Sequence, residues 1–320
     1  MPLVQSAYSP PWWLPGHHLP TLWPSFFRPR PDIPLIRERV ELEDGDFLDL
    51  SWCGGAGRPI VLLLHGLEGS LHSHYAKPLL KLLSESGYLA CMLHFRGCSG
   101  EPNRLPRSYH SGDSAELQTI IEYIENSRQQ TVFGMIGFSL GGNVLLKWLG
   151  EQGAEAAVER AMAVSVPFLL NEAADRLNQG FSRLYQRHLL NSLKEKYREK
   201  FSRIPSPLQV DLNQIRTFRQ FDEQITAPLH GFSGADDYYR RCSSRQFLPA
   251  IRTPTLILHD RHDPFMWAST PPEENELPPE VTLELPNGGG HGGFAYGVTP
   301  SVTRYWTDKR LLEWLNSARG

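Results

Sequence analysis

A serine hydroxyl is a weak nucleophile near neutral pH. It attacks a carbonyl only when a base takes its proton and a carboxylate orients that base. In Gly137-Phe138-Ser139-Leu140-Gly141 a serine is placed for such an attack. The apolar run 131–136 before it reads as a buried strand, and residues 142–149 after it read as a helix. A Gly-x-Ser-x-Gly pentapeptide between strand and helix forces a tight turn whose glycines admit close backbones. Ser139 then stands at a helix N-terminus, where N–H groups and the helix dipole favour developing negative charge.

The remaining chemistry lies after the serine, at places where sheet strands end. His291, in Asn287-Gly288-Gly289-Gly290-His291-Gly292-Gly293, sits in a loop whose glycines let the backbone aim an imidazole. Asp263 lies just beyond the apolar run 255–258, in His259-Asp260-Arg261-His262-Asp263-Pro264. Asp260 competes for the acid role, but directly after a strand it suits bracing the turn, so Asp263 is preferred. His262 competes weakly with His291, since its neighbours suit a surface turn. The order Ser, Asp, His is that of α/β-hydrolases. Oxyanion donors are expected from the Leu140 N–H, following the serine, and from the Leu67 N–H in His65-Gly66-Leu67-Glu68-Gly69. His65 itself is expected to stabilise that loop, and Arg96-Gly97-Cys98-Ser99-Gly100 to form a turn beside the site.

These loops need a sheet to hold them. Residues 39–43 and 48–52 alternate polar and apolar about Asp44-Gly45, as a hairpin should. Runs 59–64, 88–95, 161–166, 255–259 and 281–285 read as strands, and 75–86, 113–126 and 305–317 as helices. The alternation predicts an α/β fold with a doubly wound, mostly parallel sheet. The core is expected over 36–166 and 250–320. The interval 167–249 shows no convincing strand and is too long for a plain loop, so a helical cap insertion is predicted. Within it Phe181, Leu184, Tyr185, Leu189, Leu193, Tyr197 and Phe201 recur at helical spacing among basic residues. An ordinary buried stripe is the first reading, with a lipid- or partner-binding face as the alternative. Residues 1–35 combine many prolines with large aromatics and read as an extended N-terminal arm packed over the domain.

Composition narrows the function classes. With 40% hydrophobic and 21% charged residues the chain is globular, and a net charge of −3 lacks the basic footprint of a nucleic-acid binder. Cys53, Cys91, Cys98 and Cys242 show neither pairing nor metal-ligand spacing. No secretory leader or membrane span is legible. A cytoplasmic protein with free thiols, no metal and no cofactor is expected, with peripheral lipid contact through the aromatic arm left open. Oligomeric state is not readable.

Taken in order, these motifs resemble the α/β-hydrolase superfamily and more closely its YheT-like branch, the AB hydrolase-4 family. The resemblance includes Pro15-Gly16-His17-His18-Leu19-Pro20-Thr21-Leu22-Trp23-Pro24 in the arm and spans nearly the whole chain. It implies an α/β-hydrolase fold with Ser139, Asp263 and His291 as charge-relay residues. It also implies ester chemistry, since the family includes carboxylesterases, acylglycerol lipases and medium-chain ester synthases. The expected activity is serine carboxylic-ester hydrolysis, through an acyl-enzyme, of a small-molecule ester with a short- to medium-chain apolar acyl group. An acyltransferase or ester synthase with the same residues, and a catalytically silent binding protein, are the rivals.

Overall fold

The computed structural model describes residues 2–318. Among them nine strands form one sheet in the order β1-β9-β8-β7-β6-β4-β5-β3-β2. The strands are β1 (Leu3–Val4), β2 (Ile36–Glu41), β3 (Phe47–Cys53), β4 (Ile60–Leu64), β5 (Leu89–His94), β6 (Val132–Phe138), β7 (Arg160–Val164), β8 (Thr255–Leu258) and β9 (Val281–Glu284). The expected hairpin is present: β2 pairs antiparallel with β3, and Gly45 takes a left-handed φ of 83° in its turn. From β5 through β4, β6, β7, β8 and β9 to β1 every pairing is parallel.

Continuous apolar strands require cover on both faces. All five residues of β4 are buried. One face packs on α3 (Ser114–Arg128) and α4 (Leu140–Gln152), which follows α2 (Ala76–Glu85) in the chain and contributes Val144 and Leu145 to that core. The other face packs on α2 and on the C-terminal helix Trp306–Asn316, through Leu79, Leu83, Leu311 and Leu315. This is the α/β-hydrolase architecture. The registers Leu64↔Gly137, Phe138↔Val164 and Leu258↔Glu284 bring the C-terminal ends of β4, β6, β7, β8 and β9 to one edge of the sheet. In parallel sheets that edge is where ligands bind.

Between β7 and β8 the chain is helical: α5 (Leu170–Leu177), α6 (Ser182–Arg203), α7 (Phe218–Phe221), α8 (Ala227–Leu229) and α9 (Ala235–Cys242). These helices bury a cluster of their own that includes Leu170, Leu177, Tyr185, Phe218 and Tyr238. The amphipathic stripe read from the sequence is buried only in part. Phe181 and Leu184 lie exposed, because α6 meets that cluster only from Tyr185 onward.

The arm departs from the expected extended chain. Its first strand, β1, lies beside β9, and His18–Phe27 forms a helix, α1, despite Pro20 and Pro24. Pro20 occupies the first turn, where an N–H has no helical partner to lose. The Thr21 hydroxyl donates to His17 O at 2.7 Å, and Arg28 N–H to Pro24 O at 3.1 Å, which ties the two ends of the helix. Aromatic packing adds to this, with Trp23 stacked on Phe27 at 4.1 Å and Trp13 edge-on to Trp23 at 4.8 Å. After α9 the strands β10 (Ala295–Tyr296) and β11 (Arg304–Tyr305) pair antiparallel, and α10 (Trp306–Asn316) ends the fold.

Candidate active site

Ser139 adopts φ 50° and ψ −116°, a conformation costly for a residue with a Cβ. It persists because its surroundings leave no alternative. Its N–H donates to Val164 O at 2.8 Å, and its carbonyl accepts the Asn143 N–H at 3.0 Å. A Cβ on Gly141 would stand 2.5 Å from His65 O and 2.6 Å from Leu64 O, so only glycine lets the loop after β4 meet the first turn of α4.

The turn aims the Ser139 hydroxyl at His291, whose Nε2 is 3.0 Å from Oγ. His291 Nδ1 is 2.8 Å from Asp263 Oδ2. With the proton on Nδ1, His291 donates to Asp263 and its Nε2 accepts from Ser139. Phe265 stacks parallel on the imidazole at a centroid distance of 3.9 Å, which fixes the ring plane. The Phe265 N–H donates to Asp263 Oδ1 at 2.8 Å. Burial pushes the Asp263 carboxyl upward, but the charge and hydrogen bond of His291, with His259 and the Phe265 N–H, outweigh it and hold the group below its ordinary value. The structure therefore brings three of the five sequence-derived site residues into one hydrogen-bonded line.

The competing residues have other partners. Asp260 accepts from Gly288 N–H at 3.1 Å, Gly290 N–H at 2.6 Å and His262 N–H at 3.2 Å, and its Oδ2 is 3.3 Å from His17 Nδ1. It braces the glycine loop and does not touch His291. His262 is exposed beside the His17 ring.

Leu140 is the first residue of α4, and Leu67 follows the loop that packs against it. The amides flanking Leu67 are engaged: Gly66 N–H donates to Tyr75 OH at 2.9 Å, and Glu68 N–H to Tyr109 OH at 2.8 Å. Those bonds set the loop's direction, and Glu68 takes φ 57° within it. His65 is fully buried, donates from Nδ1 to Gly66 O at 2.7 Å and accepts the Phe95 N–H at 3.1 Å. Burial pushes its pKa down to about 3, so it is a neutral brace. The 96–100 turn is anchored by Arg96, buried and paired with Asp44, Asp46 and Glu116. Burial raises the Cys98 thiol to about 11, which removes it from nucleophilic chemistry near neutral pH.

Several supporting residues escape a reading of the sequence. Thr21 Oγ1 accepts the His291 N–H at 2.9 Å, and Ser165 Oγ accepts the Gly292 N–H at 2.8 Å. Tyr75, Tyr109 and Phe265 act similarly on the other loops. Little local to these residues marks them, although Thr21 lies within the motif running from Pro15 to Pro24 of the arm and Phe265 within Asp263-Pro264-Phe265.

A cavity of about 430 Å³ opens beside Ser139 and Leu140. Its walls come from both the core and the helical insertion. Leu170, Leu177, Phe218 and Ile225 make an apolar side. At another side Lys196 of α6 pairs with Glu68 at 3.2 Å, and Tyr109 OH donates to the same carboxylate at 2.7 Å. The volume suits a small-molecule ligand. Among the described residues no group of three or more His, Cys, Asp or Glu could hold a metal ion, and no helix is long and apolar enough to cross a membrane.

A serine turn, a histidine and an aspartate in one hydrogen-bonded line at the strand ends of such a sheet are an arrangement that fits an α/β hydrolase. The chain belongs to the alpha/beta hydrolase fold family, whose profile matches residues 59–298. Over 307 residues it is 40% identical to "Putative esterase YheT" of Escherichia coli strain K12, spanning 94% of this chain and 90% of that protein. It is 29% identical over 321 residues to "Phospholipase ABHD3" of Homo sapiens, spanning 95% and 77% of the two chains. Among solved structures, the Pyrococcus furiosus esterase Pf2001 shares the fold with a TM-score of 0.57 at 18% identity, over 89% of this chain and 91% of that one.

Proposed function

We propose that the chain is a serine carboxylic-ester hydrolase working through an acyl-enzyme on a small ester with an apolar, short- to medium-chain acyl group. The observation that carries this reading is the line Ser139–His291–Asp263, with contacts of 3.0 and 2.8 Å, beside a cavity with an apolar wall. Its relatives named as esterase and phospholipase support the same class of reaction.

In the proposed cycle Ser139 Oγ attacks the ester carbonyl while His291 Nε2 takes its proton. Asp263, acceptor to Nδ1–H, steadies the imidazolium that forms. The Leu67 and Leu140 N–H groups receive the oxyanion, each such donor being worth about 2.7–4 kcal/mol in comparable sites. His291 then protonates the leaving alcohol, and water activated by the same nitrogen releases the acid and restores Ser139. The helices of 167–249 serve as a cap over the core of 36–166 and 250–320, with the acyl chain against Leu170, Leu177 and Phe218. Four buried free thiols are consistent with a reducing, cytoplasmic setting.

Turnover of p-nitrophenyl esters of graded chain length tests the proposal. Ser139→Ala is expected to lose about 10⁴-fold or more in kcat, since the acyl-enzyme route disappears with the hydroxyl. A Ser139→Ala protein as fast as the wild type on every ester in the series would sink the mechanism.

A further inference from the structure

The outer surface of the arm and of the first turn of α6 turns a set of large apolar side chains to solvent. Trp12 is 80% exposed, Phe26 73% and Phe27 61%. Leu19 and Phe26, seven residues apart on α1, share one face of that helix. The exposed Phe181 lies 4.4 Å from the His18 ring, which joins the start of α6, with Leu184, to the arm. Trp12 Nε1 donates to Val298 O at 3.2 Å, which adds the exposed Val298 and Val302 between β10 and β11. Scattered exposed apolar side chains need no explanation, but a contiguous aromatic group of this kind marks an interaction surface.

Charge identifies the partner. Residues 12–30, 178–194 and 287–306, the segments that build this surface, contain no Asp or Glu in a chain that has 35. They carry Arg30, Arg183, Arg187 and Arg304, all exposed. The arginines that pair with carboxylates are others, so these four are without an acidic partner among the described residues. Exposed tryptophan and phenylalanine in segments that also carry exposed arginine and no carboxylate complement a bilayer surface, where hydrocarbon lies beneath anionic headgroups.

We propose that this face docks the protein on anionic lipid bilayers, with Trp12, Phe26, Phe27 and Phe181 in the interface and the four arginines against the headgroups. The inference goes beyond the proposed esterase chemistry and does not depend on it. It does bear on access: α6 carries Phe181 and Leu184 at one end and lines the cavity with Leu189, Leu193 and Lys196 further along. Docking therefore sets one wall of the cavity against the membrane-bound end of the same helix.

Co-sedimentation of the full chain with phosphatidylcholine vesicles, with and without phosphatidylglycerol, tests this. Wild type is expected to sediment with the phosphatidylglycerol vesicles. The double variant Phe26→Ser with Phe27→Ser should lower partitioning at least about tenfold on both vesicle types. Arg183→Ala with Arg187→Ala should lower it about 30-fold on anionic vesicles alone, about fivefold per arginine. The arginine variant should melt with the wild type, because its side chains are exposed. The phenylalanine variant gives up the Trp23 stacking and should melt somewhat lower, so its partitioning is read well below that melting temperature. Ser139→Ala should sediment as the wild type does. Wild type that stays in the supernatant with both vesicles would overturn the proposal. So would a wild-type dimer that the phenylalanine substitutions turn into monomer without any vesicle binding, which would make the face a contact between copies.

Discussion

Ser139 and His291 meet at 3.0 Å, yet the two loops that carry them are built by opposite means. The serine turn is enforced by backbone sterics within adjoining strands. A Cβ on Gly137 would stand 2.5 Å from Gly141 O, and one on Gly141 would strike the carbonyls of Leu64 and His65. The histidine loop is crowded chiefly from outside: a Cβ on Gly293 would strike Pro20 O and one on Gly290 would stand 2.7 Å from His17 O, both in the arm. Gly288, Gly290, Gly292 and Phe294 all take left-handed φ, and the loop's amides are held by side chains from three distant places: Asp260, Thr21 and Ser165. Ser139 is positioned by its own segment. His291 is positioned by a frame that includes the N-terminal arm.

The widest separation between chemistry and frame is expected at two aspartates three residues apart. Asp263→Asn preserves the shape of the turn but presents an amide to His291 Nδ1 and favours the wrong tautomer. It should cost about 10⁴-fold in kcat while the melting temperature changes little. Asp260→Asn removes a carboxylate that two glycine amides address. It should cost about 1–3 kcal/mol of stability in denaturant unfolding, with a much smaller loss of rate. Reversed outcomes, with Asp260→Asn the inactive and stable variant, would exchange the roles of acid and brace between the two aspartates.

Glycine substitutions sharpen the same contrast on stability. Gly141→Ala sets a methyl against backbone oxygens that cannot rotate away, so a loss of about 3 kcal/mol or more is expected. Gly288→Ala meets only the Pro10 ring, at 3.0 Å, and its chief penalty is the φ of 84°. About 1–2 kcal/mol should follow. Equal losses in urea titrations would mean that the histidine loop is as tightly enforced at Gly288 as the serine turn is at Gly141.

This difference explains what could be read from the sequence. The strands β4 to β9, a mostly parallel sheet and the tight turn at Ser139 are legible because each rests on local apolar runs, their alternation with helices or a short motif, whereas the order of the strands in the sheet is not. His291 and Asp263 were legible by chain order and position at strand ends. The arm was not. Two prolines argue against a helix in isolation, and α1 forms because Pro20 falls in the first turn, Thr21 serves His17 O and the aromatics pack on one another. Strand β1 has only two residues, too few for an alternation to register. Thr21 and Ser165 reach the histidine loop across 270 and 127 positions of sequence, a distance over which no periodicity carries information.

Thr21 offers the finest test of whether the arm belongs to the site. Valine matches the shape of threonine but cannot accept the His291 N–H, nor donate to His17 O. An unsatisfied buried amide costs about 1–3 kcal/mol, and the loop can recover part of that by shifting His291 away from Ser139. On the proposed mechanism a small displacement of His291 would slow proton transfer and leave the cavity itself unaltered. Thr21→Val should therefore lower kcat about tenfold with KM unchanged, and Thr21→Ser, which keeps the hydroxyl, should restore it. A lower melting temperature with kcat intact would reduce the arm to a brace for the fold. Loss of kcat with rescue by serine would make residues 17–21 part of the machinery that aims the base.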